Sequence, residues 1–317
     1  MTFELVVLSL STVAAVSILS SAVVWALWPA VRHVLRRLTP AAEWRALFTL
    51  SCLPLFGSAL VLAACFLPSL GVTADHCLHH GLHHPHLCLR HLPHVAPTLG
   101  ALAMAGFIIV RATHGLGRAA LGLLRSMSTA RTLSEAAAPR TGGIRVLPAT
   151  RPEAFVLGLL RPALFASRGL LSMSDDVQGV VLAHERAHMK RRDPLRQLIA
   201  TAVLGFHLPG IADTLRRRLR AAAEMAADAQ AADTCRDGLR VADVLVQLSR
   251  ARRAHPAPGV GFVGDLEVRV RRLMAPRGHD VLGPPALGGM VVATVLSAVV
   301  LAEPIHHAVE TFLGLLG

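Results

Sequence analysis

Four long apolar stretches constrain this chain more than any other feature of its sequence. A helix needs about 20 mostly apolar residues to cross a bilayer, and residues 3–28, 46–70, 95–113 and 281–302 come close to that length or exceed it. The chain is 53% hydrophobic and only 16% charged, which is too apolar for an ordinary soluble domain. We therefore predict a mainly α-helical membrane protein with four transmembrane helices.

The distribution of arginine predicts how these helices are oriented. Arginines crowd the loop after the first stretch and the segment after the third, whereas the loop between the second and third has one and the tail after residue 302 has none. Because cytoplasmic loops are enriched in Lys and Arg, we predict that both termini lie outside and that residues 114–280 lie in the cytoplasm. An Ala- and Arg-rich composition without Tyr indicates a GC-rich bacterial genome, so the membrane is expected to be the bacterial inner (cytoplasmic) membrane.

This topology predicts three parts. Residues 1–113 form a membrane module with three helices, residues 114–280 a cytoplasmic domain, and residues 281–317 a fourth helix with a short outer tail. Basic helix ends also account for the net charge of +12. No nucleic-acid recognition motif accompanies that charge, and direct binding of nucleic acid is not expected.

The segment His184-Glu-Arg-Ala-His188 predicts a metal site on a helix that begins after Ser174-Asp175. Residues four apart share one face of a helix, so His184 and His188 can bind one ion. Glu185 lies one step round the helix, where a carboxylate can take a proton from water at the metal. A catalytic Zn2+ takes three protein ligands and keeps one open position. The pattern therefore predicts a zinc cofactor and requires a third ligand.

Glu224 is the best candidate for that third ligand. The metzincin pattern is excluded, because positions 191 and 194 hold Arg and Pro where it needs Gly and His. Glu224 lies in a helical segment of small residues that can approach the first helix closely, and Asp228 shares its face one turn later. Asp228 can accept the free N–H of a zinc histidine. The alternative for Glu224 is an exposed charge paired with Arg220.

Other carboxylates and the segment at 195–211 fit this site less well. Asp193 is too close to the end of the first helix to be a ligand, and Asp213 stands beside the Pro209-Gly210 turn. Residues 195–211 look like a fifth span, but they are short and end at that turn. If they crossed the bilayer, the histidines and Glu224 could not share one ion. We therefore predict a buried or membrane-skimming helix that returns to the same side.

The two motifs resemble those of the BlaR/MecR-type membrane metallopeptidases, the antibiotic-sensor signalling peptidases. The resemblance rests on residues 184–188 with the following Lys190-Arg-Arg-Asp193, and on Glu224-Met-Ala-Ala-Asp228. Residues 144–148 and 154–165 look like the family's short strands. It implies a small α+β gluzincin-like peptidase domain between the third and fourth helices. It further implies zinc ligands at His184, His188 and Glu224, a catalytic acid/base at Glu185 and a supporting carboxylate at Asp228.

Two departures from the family pattern bear on function. Antibiotic sensors carry a penicillin-binding domain after the last span, and only a short tail follows it here, so β-lactam sensing is not expected. The family's aromatic-Asn-Pro element reads Phe206-His207-Leu208-Pro209. His207 either helps to stabilise the transition state or is a surface or interfacial histidine.

A histidine-rich loop at residues 75–94 lies on the predicted outer side. Its density of histidine and cysteine suits zinc or copper, although no rigid ligand spacing recurs. A Cys77–Cys88 disulfide and a plain polar loop are the alternatives. The candidate metal-binding residues of this loop are His76, Cys77, His79, His80, His83, His84, His86 and Cys88.

These features together predict a membrane-bound zinc-dependent endopeptidase. The expected partners are membrane lipid and a protein or peptide substrate, such as a cytoplasmic transcriptional repressor cleaved in response to an external signal. A homodimer is one option for its assembly. The alternatives are an HtpX-like quality-control protease, because HtpX-type enzymes share the Glu-x-x-x-Asp element, and a non-proteolytic metal-responsive membrane sensor.

Overall fold

The computed structural model describes residues 3–67, 69, 87, 96–140, 143–254, 263–275 and 300–315. Its helices are α1 (Phe3–Leu35), α2 (Pro40–Phe66), α3 (Leu99–Ala136), α4 (Arg168–Leu171), α5 (Asp175–Arg191), α6 (Asp193–Val203), α7 (Pro209–Cys235), α8 (Gly238–Ala254), α9 (Val263–Met274) and α10 (Ala302–Leu315). The strands are β1 (Ala138–Arg140), β2 (Ile144–Leu147), β3 (Ala154–Leu157) and β4 (Ala163–Ser167). A 3₁₀ turn at Leu204–Phe206 joins α6 to α7.

Three helices in the described part of the chain, α1, α2 and α3, are long and apolar enough to cross a membrane. They expose large apolar side chains such as Leu19, Phe56 and Ile109, which suits contact with lipid. This agrees with the first three predicted spans and indicates a multi-pass membrane protein. The fourth predicted span lies almost wholly outside the described residues, as do the linker around Pro256 and all candidate ligands of the histidine-rich loop.

Helix α3 is longer than the predicted third span. It runs without a break past Thr113 to Ala136, 38 residues in all, or about 57 Å at 1.5 Å per residue. The hydrocarbon core is about 30 Å thick, so the second half of α3 extends beyond it. The arginines after residue 110 end the apolar stretch but do not end the helix, because Arg is a good helix former.

A small mixed sheet confirms the predicted short strands. Its order is β1-β2-β4-β3, with β2 and β4 parallel and the outer pairs antiparallel. Helix α5 packs against β3 and β4, and Leu164 and Ala166 of β4 share a core with Val177 and Val180 of α5. The sheet thereby fixes the helix that carries His184.

The segment at 195–211 does not form a span. Helix α6 has 11 residues, about 16 Å, and the chain then turns through the 3₁₀ turn into α7, which Pro209 begins. Helix α7 packs back against α5. This agrees with the prediction of a buried helix that returns to the same side.

The α6–α7 connection is packed tightly against the membrane helices. A Cβ on Gly115 of α3 would lie 2.7 Å from Cα of Gly205 and 2.9 Å from the Ala202 carbonyl oxygen, so the two backbones meet at a pair of glycines. Leu38 and Trp44, in and after the α1–α2 turn, share a buried core with residues of α6 and α7. Helices α1 and α2, which we call the membrane hairpin, therefore form one packed unit with α6 and α7.

His207 is neither a surface histidine nor an interfacial one, contrary to the simpler expectation. It is 1% exposed. Ser21 of α1 donates a hydrogen bond to its Nδ1 (3.0 Å), and its Nε2 donates to the Leu50 carbonyl of α2 (3.1 Å). Arg111 of α3 donates to its backbone carbonyl (2.7 Å). His207 thus ties the α6–α7 connection to helices α1, α2 and α3, and both of its ring nitrogens are engaged by α1 and α2.

The C-terminal tail contains a helix that was not predicted. Helix α10 packs on α1 and α2, and its Leu313 lies in a buried cluster with Leu5, Leu8 and Cys65. Apolar residues at Ile305, Val309 and Leu313 recur every four positions, so this tail presents one apolar face to the hairpin.

Candidate metal centre

Helices α5 and α7 bring His184, His188 and Glu224 together. The two Nε2 atoms lie 3.1 Å apart. Glu224 Oε2 lies 3.6 Å from His184 Nε2, and Glu224 Oε1 lies 3.6 Å from His188 Nε2. These potential ligand atoms all lie within 4.8 Å of one another. The three side chains therefore surround one small space.

Local sequence explains how the two helices meet. The four-residue spacing of the histidines puts both rings on the same face of α5. On α7, Ala222, Ala223 and Ala227 are completely buried, and their small side chains let α7 approach α5 closely enough for Glu224 to reach the rings. Arg220 is exposed one turn earlier, so the carboxylate of Glu224 faces the histidines rather than forming an isolated surface pair.

Asp228 lies behind His184. Its Oδ1 is 2.9 Å from His184 Nδ1, and the side chain is 1% exposed. The one-turn spacing from Glu224 explains this position, because both carboxylates project from the same face of α7. Asp228 is thus where a carboxylate can orient the ring of a metal-binding histidine.

Asp193 lies behind His188 and was missed as a functional residue. Its Oδ2 is 2.7 Å from His188 Nδ1. Asp193 was not expected to be a ligand, because it lies too close to the end of α5. The same short distance along the chain from His188 lets its carboxylate reach the far side of the His188 ring. Arg192 adopts a left-handed conformation (φ 54°), which ends α5 and turns Asp193 back toward His188. A carboxylate just after the end of the motif helix is the sequence signal that points to this role.

Arg269 of α9 is a second residue that the sequence did not reveal. Its Nε and Nη2 donate to the two oxygens of Asp228, both at 2.7 Å, and its Nη1 lies 3.4 Å from Glu224 Oε2. Arg269 is 41 positions from Asp228 along the chain. No spacing rule connects residues so far apart on separate helices.

The charges of the site favour a cation. Burial alone would lower the pKa of His184, but Asp228 and Glu224 reverse this effect and raise it to about 9. Burial would likewise raise the pKa of both carboxylates. Contact with His184 and the charge of Arg269 instead lower the pKa of Glu224 to about 2. Contact with Arg269 and His184 lowers the pKa of Asp228 to about 2. Both carboxylates are therefore ionised at neutral pH.

The donor set fits a catalytic zinc ion. Carboxylate oxygens of Asp228 and Asp193 lie against Nδ1 of His184 and His188, an arrangement that favours a proton on Nδ1 and leaves Nε2 of each ring as the atom that would bind a metal ion in place of a proton. Two nitrogens bound tetrahedrally at 2.0–2.1 Å would lie about 3.3 Å apart, close to the 3.1 Å found here. The Glu224 side chain is 42% exposed, which leaves one side of the site open.

Glu185 follows His184 on α5 and is half-buried. Consecutive helical residues are about 100° apart around the axis, so Glu185 projects beside the face that carries the histidine pair. This is the position expected of an acid/base next to the metal ligands.

The sequence profile of the BlaR1 peptidase M56 family matches residues 99–274, which is more than half of the chain. No curated protein and no solved structure matches it. The match includes α5, α7 and α9, which supply the histidine pair, Glu224 and Arg269. The chain therefore belongs to the BlaR1 peptidase M56 family of membrane zinc metallopeptidases.

Proposed function

We propose that this protein is a membrane-bound zinc-dependent endopeptidase that cleaves a cytoplasmic protein, such as a transcriptional repressor, in response to an external signal. In this proposal His184, His188 and Glu224 hold the zinc ion and Glu185 is the acid/base. The observation that carries it is the convergence of two Nε2 atoms and one carboxylate in a single space, with Glu185 next to His184 on α5.

The residues of the site have separate roles in peptide hydrolysis. When bound, zinc supplies a Lewis acid that polarises the peptide carbonyl and makes water more acidic. Glu185 accepts a proton from the attacking water and returns it to the leaving amide nitrogen. Asp228 and Asp193 hold the two rings with Nε2 directed at the ion. Because both rings are fixed before substrate arrives, little reorganisation is needed during the reaction.

The placement of α9 and α10 supports four crossings with the metal centre on the cytoplasmic side. Arg272 of α9 donates hydrogen bonds to the carbonyls of Arg36 and Leu38 at one end of α1. Leu313 of α10 packs against Leu5 at the other end. Helix α1 has 33 residues and is therefore about 50 Å long. Helices α9 and α10 thus contact opposite ends of α1.

The distribution of arginine supports a cytoplasmic location for the end of α1 that contacts α9. The α1–α2 turn that contacts α9 carries Arg36 and Arg37, and a basic turn is typical of the cytoplasmic face. A metal centre on that side draws its substrates from the cytoplasm.

The decisive experiment replaces Glu185 by Gln, which removes the base and keeps nearly the same size. Cells with wild-type or Glu185→Gln protein are compared by mass spectrometry of new protein N-termini, and the purified proteins are compared for zinc content. Arg186→Gln, at the exposed neighbouring position, is the matched control. We expect Glu185→Gln to bind zinc normally and to lose a defined set of fragments that Arg186→Gln retains.

The same data separate the alternatives. An unchanged fragment set in Glu185→Gln cells would refute a peptidase function. Fragments confined to one DNA-binding repressor support signalling. Fragments from many damaged membrane proteins point instead to quality control.

A further inference from the structure

Helix α9 carries two arginines that contact different parts of the molecule. Arg269 makes a two-pronged hydrogen bond to Asp228, with both N···O distances at 2.7 Å, and approaches Glu224 at 3.4 Å. Arg272, one turn later, donates to the carbonyl of Arg36 (3.0 Å) and to that of Leu38 in the α1–α2 turn. Helix α9 is therefore attached at one point to the site and at another to the membrane hairpin.

Asp228 needs the contact with Arg269. It is 1% exposed, and a buried carboxylate without partners is strongly unfavourable. One of its oxygens faces His184 Nδ1 at 2.9 Å, so any rotation of the carboxylate also moves the support of that ring. A planar guanidinium satisfies both oxygens at once and fixes this rotation, which the single ammonium of Lys cannot do.

We propose that Arg269 is a positioning residue of the metal centre, acting on His184 through Asp228 and directly on Glu224. Arg272 anchors this support to the α1–α2 turn. The proposal rests on the proposed function in one respect, namely that His184 and Glu224 bind the zinc ion. It adds that the affinity and geometry of the metal depend on a helix that supplies no ligand.

The test uses the full-length protein in lipid nanodiscs and measures zinc retention against a competing chelator. Loss of a residue that orients a metal ligand typically weakens binding by about 10- to 100-fold, and we expect this range for Arg269→Ala. Arg269→Lys keeps the positive charge but cannot make the bidentate hydrogen bond, so its zinc affinity should lie between that of Arg269→Ala and that of the wild type. Arg271→Ala is the matched control, because that side chain is 79% exposed on the same helix, and should retain zinc like the wild type.

Two further readouts separate positioning from a general effect on folding. The visible absorption of the Co2+-substituted protein reports ligand geometry, and we expect its band positions to shift in Arg269→Lys even where the thermal midpoint equals that of the wild type. Arg269→Ala added to Asp228→Asn should weaken zinc retention less than Arg269→Ala does alone, because the part of its effect that acts through Asp228 is already lost. Should Arg269→Ala not fold, Arg269→Lys and Asp228→Asn carry the test.

Each result has a defined meaning. Wild-type zinc retention and an unchanged Co2+ spectrum in the Arg269 variants would overturn the positioning role, as would full additivity with Asp228→Asn. A wild-type protein that binds no zinc would overturn the proposed function as well. Arg272→Ala should retain zinc at a level between the wild type and Arg269→Ala. Retention equal to the wild type would remove the anchoring role alone.

Discussion

The glycine contact between α3 and the 3₁₀ turn gives a prediction whose magnitude follows from distances. In Gly115→Ala the new Cβ would lie 2.7 Å from Cα of Gly205, 2.9 Å from the Ala202 carbonyl oxygen and 3.1 Å from the Gly205 nitrogen. Favourable contact begins near 3.5 Å, so α3 and the turn must separate by about 0.8 Å. All three atoms belong to the backbone and cannot rotate away. Overpacking of this kind costs about 1–3 kcal/mol.

Gly117→Ala isolates this cost, because nothing lies within 4 Å of a Cβ built on Gly117. Both positions are inside α3, where Ala is favoured over Gly by about 1 kcal/mol, so helix propensity cancels when the two variants are compared. At about 2–4 °C per kcal/mol for a large domain, the thermal midpoint of Gly115→Ala should lie about 2–12 °C below that of Gly117→Ala.

The assay is thermal unfolding of the purified variants in nanodiscs, followed by circular dichroism. Gly205 lies in the connection between α6 and α7, so Gly115→Ala should also lose zinc more readily than Gly117→Ala. Equal midpoints for the two variants would refute the close crossing, and so would a more stable Gly115→Ala.

Three further predictions concern the residues around the site. Asp193→Asn should weaken zinc retention by about 10- to 100-fold in chelator competition, whereas Asn at the exposed Asp213 should leave it unchanged; equal effects would contradict the support of His188 by Asp193. In zinc-free protein the folded pKa of His184 is raised to about 9 from 6.5. Its contribution to stability is therefore complete below about pH 6.5 and is lost as the pH rises toward 9, which urea titrations at several pH values would detect and His184→Ala would abolish. His207→Ala should destabilise the fold by about 1–3 kcal/mol, because the carbonyl of Leu50 loses its donor and the buried hydroxyl of Ser21 loses its acceptor. A thermal midpoint equal to that of the wild type would contradict the bridging role.

Much of the site depends on residues close together in the sequence and could therefore be predicted from the sequence. The spacing from His184 to His188 and from Glu224 to Asp228 places each pair on one helical face whatever the rest of the fold does. The apolar lengths of α1 and α2 are likewise a property of the sequence alone. Residues 195–211 could be read correctly because a shared ion requires both motif helices on one side.

The residues that complete the site could not be read in this way. Arg269 is 41 positions from Asp228, and His207 is 157 positions from Leu50. Such pairs are set by how helices pack, and one arginine on an amphipathic helix looks like any other. The support of His188 by Asp193 was not predicted. The left-handed conformation that directs Asp193 to the ring occurs at Arg192, and only a glycine at that position would have predicted it.

The sequence by itself determined that the chain is a membrane protein with a two-histidine motif and a carboxylate pair one turn apart. Hydrophobic length and helical periodicity are local quantities, fixed by backbone hydrogen bonds between neighbouring residues. The tertiary structure alone decided which ring each carboxylate supports, Asp228 that of His184 and Asp193 that of His188, and that Arg269 holds Asp228. Those contacts depend on side chains from separate helices meeting at distances of 3 Å, which only the packing of the whole chain can set.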